Sequence, residues 1–350
     1  MNADAYAAAG VDIEAAARAV QSYRRLQGAR ADSRVLSGIG GFAGCFALGS
    51  YRDPVLVAST DGVGTKVQIA AALERYDGIG EDLVNHCIDD ILCENAQPLF
   101  FLDYLGMHRL RPVVAEALVG AIARACGEYQ IALLGGETAE MPDVYAAERF
   151  EVAGTIVGVV ERDQMLDRQT IAAGDVIIGL AANGFHTNGY SLVRKLVPAE
   201  RFSDALTGSE GSLGDALLAA HPCYLRYVRA VQTAATIKAM AHITGGGLPD
   251  NVARILPDGL TARFTAARWP VPVLMDQVVT QGRLTPAEAY GTFNMGVGFC
   301  IAVGAAEAEP ALTAARSALA QTPIPGAAWG AAVVGEIEPA HPCGPQVIIG

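Results

Sequence analysis

Val55-Leu56-Val57-Ala58-Ser59, followed by Thr60-Asp61-Gly62-Val63-Gly64-Thr65-Lys66, is a short apolar run that ends in a glycine-rich polar turn. A run this brief, bounded by glycine, suits a buried β-strand. The turn offers a carboxylate, hydroxyls at Thr60 and Thr65, an ammonium, and backbone N–H groups left bare by Gly62 and Gly64. Phosphates bound with a divalent cation require that mixture. Magnesium prefers oxygen ligands, and glycine lets backbone amides come close to an anion. An ordinary polar strand-to-helix turn has the same composition, and the Walker spacing G-x-x-x-x-G-K-[ST] is absent.

Downstream of the turn the apolar period lengthens. Ile79, Leu83, Cys87 and Ile91, flanked by Val84, Ile88 and Leu92, predict an amphipathic helix from Gly78 that Pro98 ends. Leu99 to Tyr104 reads as a second strand and Pro112 to Tyr129 as a second helix. Ile131 to Leu134 is a third strand that stops at Gly135-Gly136, and Phe150 to Val160 is a fourth. The order β-α-β-α-β-β predicts an α+β layer with helices on one face and the other face in need of a cover. A second copy of the chain would supply it. Polar residues dominate 162–175, which places a boundary between a first domain, 1–165, and a second, 166–350. The second opens with the strand Val176 to Ala182. It continues with a helix after Asn188-Gly189, a turn at Gly245-Gly246-Gly247, strands near 297–303 and 331–337, and a helix over 308–319. Two domains fit a length of 350 residues, more than one hydrophobic core usually supports.

Bulk composition narrows the function. A net charge of -12 opposes nonspecific binding to nucleic acid and favours small-molecule chemistry. No apolar run approaches the roughly 20 residues of a membrane helix, so no membrane partner is expected. The first residues carry Asp4, Asp12 and Glu14 in place of the basic start of a signal peptide, which predicts a cytoplasmic location. Seven cysteines without a C-x-x-C pair read as reduced core residues, not a zinc site.

Other acidic groups recur at element ends. Asp82, His86, Asp89 and Cys93 share one helix face opposite the apolar stripe, with Asp90 adjacent, and Glu137 follows the glycines that end the third strand. A solvated face explains such a stripe equally well. If neighbouring strand ends converge, Asp61, Asp89, Asp90 and Glu137 share metal ions. Gly38-Ile39-Gly40-Gly41-Phe42-Ala43-Gly44 is either a phosphate-covering loop or a linker. His186 and Asn188 stand in a glycine-flanked loop that opens a helix, and Thr244, Gly245 and Gly246 form another loop able to meet a phosphate. Arg24, Arg25, Arg30 and Arg34 form a basic stretch.

Taken together, STDGVGTK (59–66), PLFFLDY (98–104), GGETAEMP (135–142), GFHTNGYSLVRK (184–195), HITGGGLP (242–249) and TFNMGVG (292–298) resemble phosphoribosylformylglycinamidine cyclo-ligase, also called aminoimidazole ribonucleotide synthetase. The resemblance runs in order from Tyr6 to near Gly335. It implies a homodimer whose ferredoxin-like N-terminal sheets pair into a barrel, followed by an α/β C-terminal domain. It also implies ATP and Mg2+ as cofactors and formylglycinamidine ribonucleotide as substrate. Under it Asp61, Asp90 and Glu137 hold magnesium, Lys66 and the Gly38 to Gly44 loop meet phosphates, and His186 with Asn188 faces the reacting amide. The family usually reads Asn-Asp where this chain has Asp89-Asp90, and often has arginine where Gly291 stands.

Overall fold

The computed structural model describes Tyr23 and residues 32–38, 41–206, 211–341 and 344–350. These fall into two compact units. One extends to Asp163 without Leu92–Asn95, and the other holds Gln164–Gly350 with those four residues. In the first unit β1 (Pro54–Gly62) leads into α1 (Lys66–Leu73) and α2 (Asp77–Leu92). Then come β2 (Gln97–Met107), α3 (Pro112–Glu128), β3 (Ala132–Glu140) and β4 (Phe150–Glu161). The strands lie in the order β1-β4-β2-β3. β4 is antiparallel to both β1 and β2, while β2 and β3 run parallel. Among the described residues this chain order differs from the ferredoxin-like β-α-β-β-α-β pattern, because α3 returns the chain to a parallel neighbour and β4 then inserts between β1 and β2.

Burial alternates along β1 and β4, as expected of a sheet covered on one face. Leu56 stays 61% exposed on β1. α2 and α3 pack closely because Gly80 has no side chain: a Cβ there would lie 2.6 Å from the Cβ of Ala121 and 2.7 Å from the Leu118 carbonyl. The apolar period of α2 is present, but its polar stripe is not solvated. Asp82, Asn85, His86 and Asp89 are all buried. β3 also runs further than expected. Parallel pairing with β2 supplies partners through Glu140, so Gly135-Gly136 lies inside the strand.

The second unit holds a six-stranded sheet, β10-β7-β9-β5-β8-β6. Its strands are β5 (Val176–Ala181), β6 (Ile237–His242), β7 (Leu260–Phe264), β8 (Val297–Val303), β9 (Ala331–Pro339) and β10 (Val347–Ile349). Only β10 and β7 pair in parallel, so the unit is mixed α+β rather than a parallel α/β fold. Helices α4 (Tyr190–Leu196), α5 (Leu213–Leu217), α6 (Leu225–Gln232), α7 (Gly247–Ala253), α8 (Val273–Gly282), α9 (Pro286–Thr292) and α10 (Ala308–Gln321) complete it. β8, between β5 and β6, is buried along its whole length. No helix among the described residues is long and apolar enough to cross a membrane.

Candidate functional site

Two periodicities meet at the end of β1. Ser59 and Asp61, two residues apart on a strand, share the face that α2 covers, and His86 and Asp90, four apart on α2, share a helix face. Asp90 Oδ2 accepts from the Ser59 hydroxyl at 2.8 Å. Asp61 Oδ2 lies 2.7 Å from His86 Nε2, and Asp61 Oδ1 accepts from the Gly62 N–H at 2.7 Å. Ligand-capable atoms of Asp61, His86 and Asp90 all fall within 4.8 Å of one another. The Asp61 side chain is 45% exposed, whereas His86 is 2% exposed beneath it. Burial alone would raise the Asp61 carboxyl, but His86 and the Gly62 N–H outweigh it, and the net shift is downward. Burial likewise opposes protonation of His86, yet the hydrogen bond it donates to Asp61 and the charges of Asp90, Asp61 and Asp82 lift its pKa. Two carboxylates converging at a glycine turn give a hard oxygen site that suits magnesium, with His86 orienting Asp61 from behind.

Three expected members of this site lie elsewhere. Lys66, expected to reach a phosphate, is fully buried with its Nζ 2.7 Å from Asp82 Oδ2 and 2.8 Å from Oδ1. Burial pulls its ammonium below the ordinary lysine value, and Asp82 offsets part of that. Asp89 is fully buried inside α2 and is not part of the Asp61 group. Glu137 is separated from Asp61 by the strand order. Asp61, Gly154, Asp103 and Gly136 form one row across β1, β4, β2 and β3, so Glu137 belongs to the far edge, roughly 14 Å away at three strand spacings. Gly40 lies outside the described residues, as do Arg24, Arg25 and Arg30. Arg34 is described and pairs with Asp32 at 2.8 Å. Thr60 spends its hydroxyl across the sheet, 2.8 Å from that of Thr155, and Thr65 immediately precedes α1.

The glycine loop and Glu137 meet at a second feature of the first unit. Gly38, Gly41 and Gly44, with Glu137 and Thr138, border a cavity of about 630 Å³ whose walls include Phe100, Leu102, Val119 and Leu134. That volume and apolar lining are typical of a small-molecule site. Gly44 is required here, since a Cβ would sit 2.4 Å from Leu134 Cγ.

In the second unit the loop between β5 and α4 carries His186 with a left-handed φ of 59°, strained for a non-glycine residue. The loop does not present His186 to solvent. It is 1% exposed, with its ring 4.1 Å from that of His221. His221 is buried too. Its Nδ1 donates to the Pro222 carbonyl at 2.7 Å, so its Nε2, 2.9 Å from His242 Nε2, accepts when the ring is neutral. No motif around His221 marks it in the sequence, and its role emerges only from packing. Asn188 is half-buried and adjoins Gly245, where a Cβ would lie 3.4 Å from its Oδ1. Asn251 ties down the Thr244 to Gly247 loop, donating to the carbonyls of Thr244, Gly245 and Gly247 at 2.8 to 3.3 Å. The Thr244 hydroxyl turns inward to Asn251 Oδ1 at 3.2 Å instead of outward to a ligand. Gly246 needs its left-handed φ of 88° and has no room for a side chain against Asp250.

Sequence comparison identifies this framework. Residues 43–160 match the AIR synthase related protein N-terminal domain and residues 172–341 its C-terminal domain. The phosphoribosylformylglycinamidine cyclo-ligase of Xanthomonas oryzae pv. oryzae is 43% identical over 344 residues, 96% of this chain and 97% of that protein. The enzyme of the same name from Anaeromyxobacter sp. is 45% identical over 318 residues, 89% and 92% of the two chains. The chain belongs to the phosphoribosylformylglycinamidine cyclo-ligase family. Among solved structures, the fold is similar to that of thiamine-monophosphate kinase from Stenotrophomonas maltophilia, with a TM-score of 0.68 at 18% identity over 95% of both chains. It is similar as well to E. coli HypE, a hydrogenase maturation protein, with a TM-score of 0.68 at 19% identity over 95% of this chain and 92% of that one. In this cyclo-ligase family member the extra carboxyl at Asp89 is taken into the core of α2.

Proposed function

We propose that the chain catalyses ATP-dependent ring closure of formylglycinamidine ribonucleotide to 5-aminoimidazole ribonucleotide, releasing ADP and phosphate, as a step of purine biosynthesis. The carrying observation is identity of 43% across nearly the whole of both chains with a protein named for that activity. The formyl oxygen takes the γ-phosphoryl group of ATP as the bond to ADP breaks. The ribose-bearing nitrogen then attacks the formyl carbon, and the carbon–oxygen bond breaks to release phosphate.

Asp61 and Asp90 are the residues that would hold magnesium, which supplies charge neutralisation for the transferred phosphoryl group. His86 holds Asp61 in its ligating orientation. The cavity beside Gly38, Gly41 and Gly44 takes the nucleotide, with Glu137 at its border. Asn188 is the polar group of the second unit's loop that meets substrate, and His186 supports that loop from beneath. Lys66 acts from inside the fold, where its pairing with Asp82 fixes α1 against α2 behind the glycine turn.

The same reading makes the protein a homodimer. Leu56 and Val157 lie on the sheet face away from α2, and a second copy covering that face would complete the barrel implied by the family. The test of function is incubation of purified protein with formylglycinamidine ribonucleotide and MgATP. Equal yields of ADP and 5-aminoimidazole ribonucleotide support the assignment, and ADP formation without the ring product rejects it.

A further inference from the structure

The cavity of the first unit holds a carboxyl with no part in the scheme above. Asp103, on β2, lines the cavity and is 8% exposed. Gly136 makes room for it: a Cβ there would lie 2.4 Å from both the carbonyl oxygen and Oδ1 of Asp103. Among the described residues no side chain donates to or pairs with this carboxyl. The cavity wall is mainly apolar, from Phe100, Leu102, Val119, Leu133 and Leu134, and its other polar side chains are Tyr23, Glu137 and Thr138.

An ionised carboxylate is expensive to bury without a cation. Burial raises the pKa of Asp103 to about 7, so near neutral pH much of it is the neutral acid. A neutral acid presents one hydrogen-bond donor beside one acceptor. Among the parts of a nucleotide, phosphates present only acceptors and carry negative charge, unsuited to a wall that holds Asp103 and Glu137. Ribose hydroxyls could reach the carboxyl but would leave the apolar part of the wall uncovered. A flat base suits the walls, and adenine places its 6-amino donor next to a ring-nitrogen acceptor.

We propose that Asp103 is a specificity-determining residue that binds the 6-amino edge of adenine. The proposal rests on the ATP-dependent reading above and places the base of that nucleotide. Because a hydrogen bond to a buried carboxyl is made only when the amino group is present, the effect appears as coupling between residue and ligand atom.

The test compares binding of ATP with that of purine riboside triphosphate, which lacks the 6-amino group, and of 2′-deoxy-ATP, across wild type, Asp103→Ala and Asp103→Asn. Wild type is expected to prefer ATP over the purine analogue by about tenfold or more, the equivalent of about 1.4 kcal/mol. Asp103→Asn, which keeps a donor beside an acceptor, retains most of that preference, and Asp103→Ala loses it. An unchanged preference in Asp103→Ala overturns the proposal. So does a change only in the preference for ATP over 2′-deoxy-ATP, which would place the ribose at this carboxyl. A measurement on wild type alone avoids dependence on variants that fold poorly. The carbon-13 carboxyl resonance of Asp103 should shift on adding ATP and stay in place with the purine analogue, and equal shifts count against the idea. If wild type binds ATP and forms the ring product while these ratios do not move, only the base assignment fails. If wild type binds no ATP, the functional reading fails with it.

Discussion

Replacing Lys66 by methionine separates two roles that the same motif allows. In the fold Lys66 and Asp82 are both fully buried, with both Asp82 oxygens within 2.8 Å of Nζ. Removing one partner of such a pair leaves a buried charge uncompensated, a loss of about 3–5 kcal/mol. For a unit of this size each kcal/mol lowers the melting temperature by roughly 2–4 °C, so the first unit of Lys66→Met should melt roughly 6–20 °C below wild type. The double variant Lys66→Met/Asp82→Leu removes both charges and should recover most of the loss, because apolar replacement of a whole buried pair is close to neutral. Differential scanning calorimetry of the four proteins in the cycle, with ATP affinity measured below the transition, provides the assay. A Lys66→Met protein that melts like wild type but no longer binds ATP would refute the pairing argument and return the ammonium to the phosphates.

Three further outcomes follow from the geometry. Asp90→Asn should raise the magnesium concentration needed for half-maximal turnover by tenfold or more, about 1.4 kcal/mol, whereas Glu137→Gln should chiefly weaken ATP binding; a magnesium titration with matched ATP titrations separates them. In metal-free protein the pair of His86, shifted up, and Asp61, shifted down, adds stability that is fully present between the ordinary values of 3.8 and 6.5. It declines as pH rises through the raised value of His86 and as pH falls through the lowered value of Asp61, so the melting difference between wild type and His86→Asn should shrink as pH rises through that raised value. Val157→Arg puts a charge on the uncovered sheet face and should convert dimer to monomer in sedimentation velocity, and an unaltered dimer would move the interface elsewhere.

The elements themselves were legible because periodicity is local. The period of α2, the Pro112 start of α3 and the apolar run of β8 each reveal an element without reference to its neighbours. Lateral order is not local. Successive strand ends do share one end of the sheet, since β1, β2 and β3 run in the same direction. β4 enters between β1 and β2, however, and that insertion carries Glu137 to the edge opposite Asp61. The extension of β3 through Gly135-Gly136 was hidden for a related reason: glycine pairs signal a turn in isolation, while here Gly136 makes space for Asp103 on the adjacent strand. Partner choice was equally out of reach. The spacing of Asp82, His86 and Asp90 fits a solvated helix face, and only the packed structure shows that Lys66, Asp61 and Ser59 meet them one by one. His221 and Asn251 carry no sequence signal of their own and act through neighbours brought together by the second sheet.

Ring closure by the proposed route phosphorylates the formyl oxygen of the substrate, which then leaves as phosphate. Substrate labelled with oxygen-18 at the formyl position, turned over with MgATP, tests it directly by mass spectrometry of the released phosphate. One labelled oxygen in each phosphate, formed in step with 5-aminoimidazole ribonucleotide, is the expected result. Ring product accompanied by unlabelled phosphate, with the label in water, would contradict it.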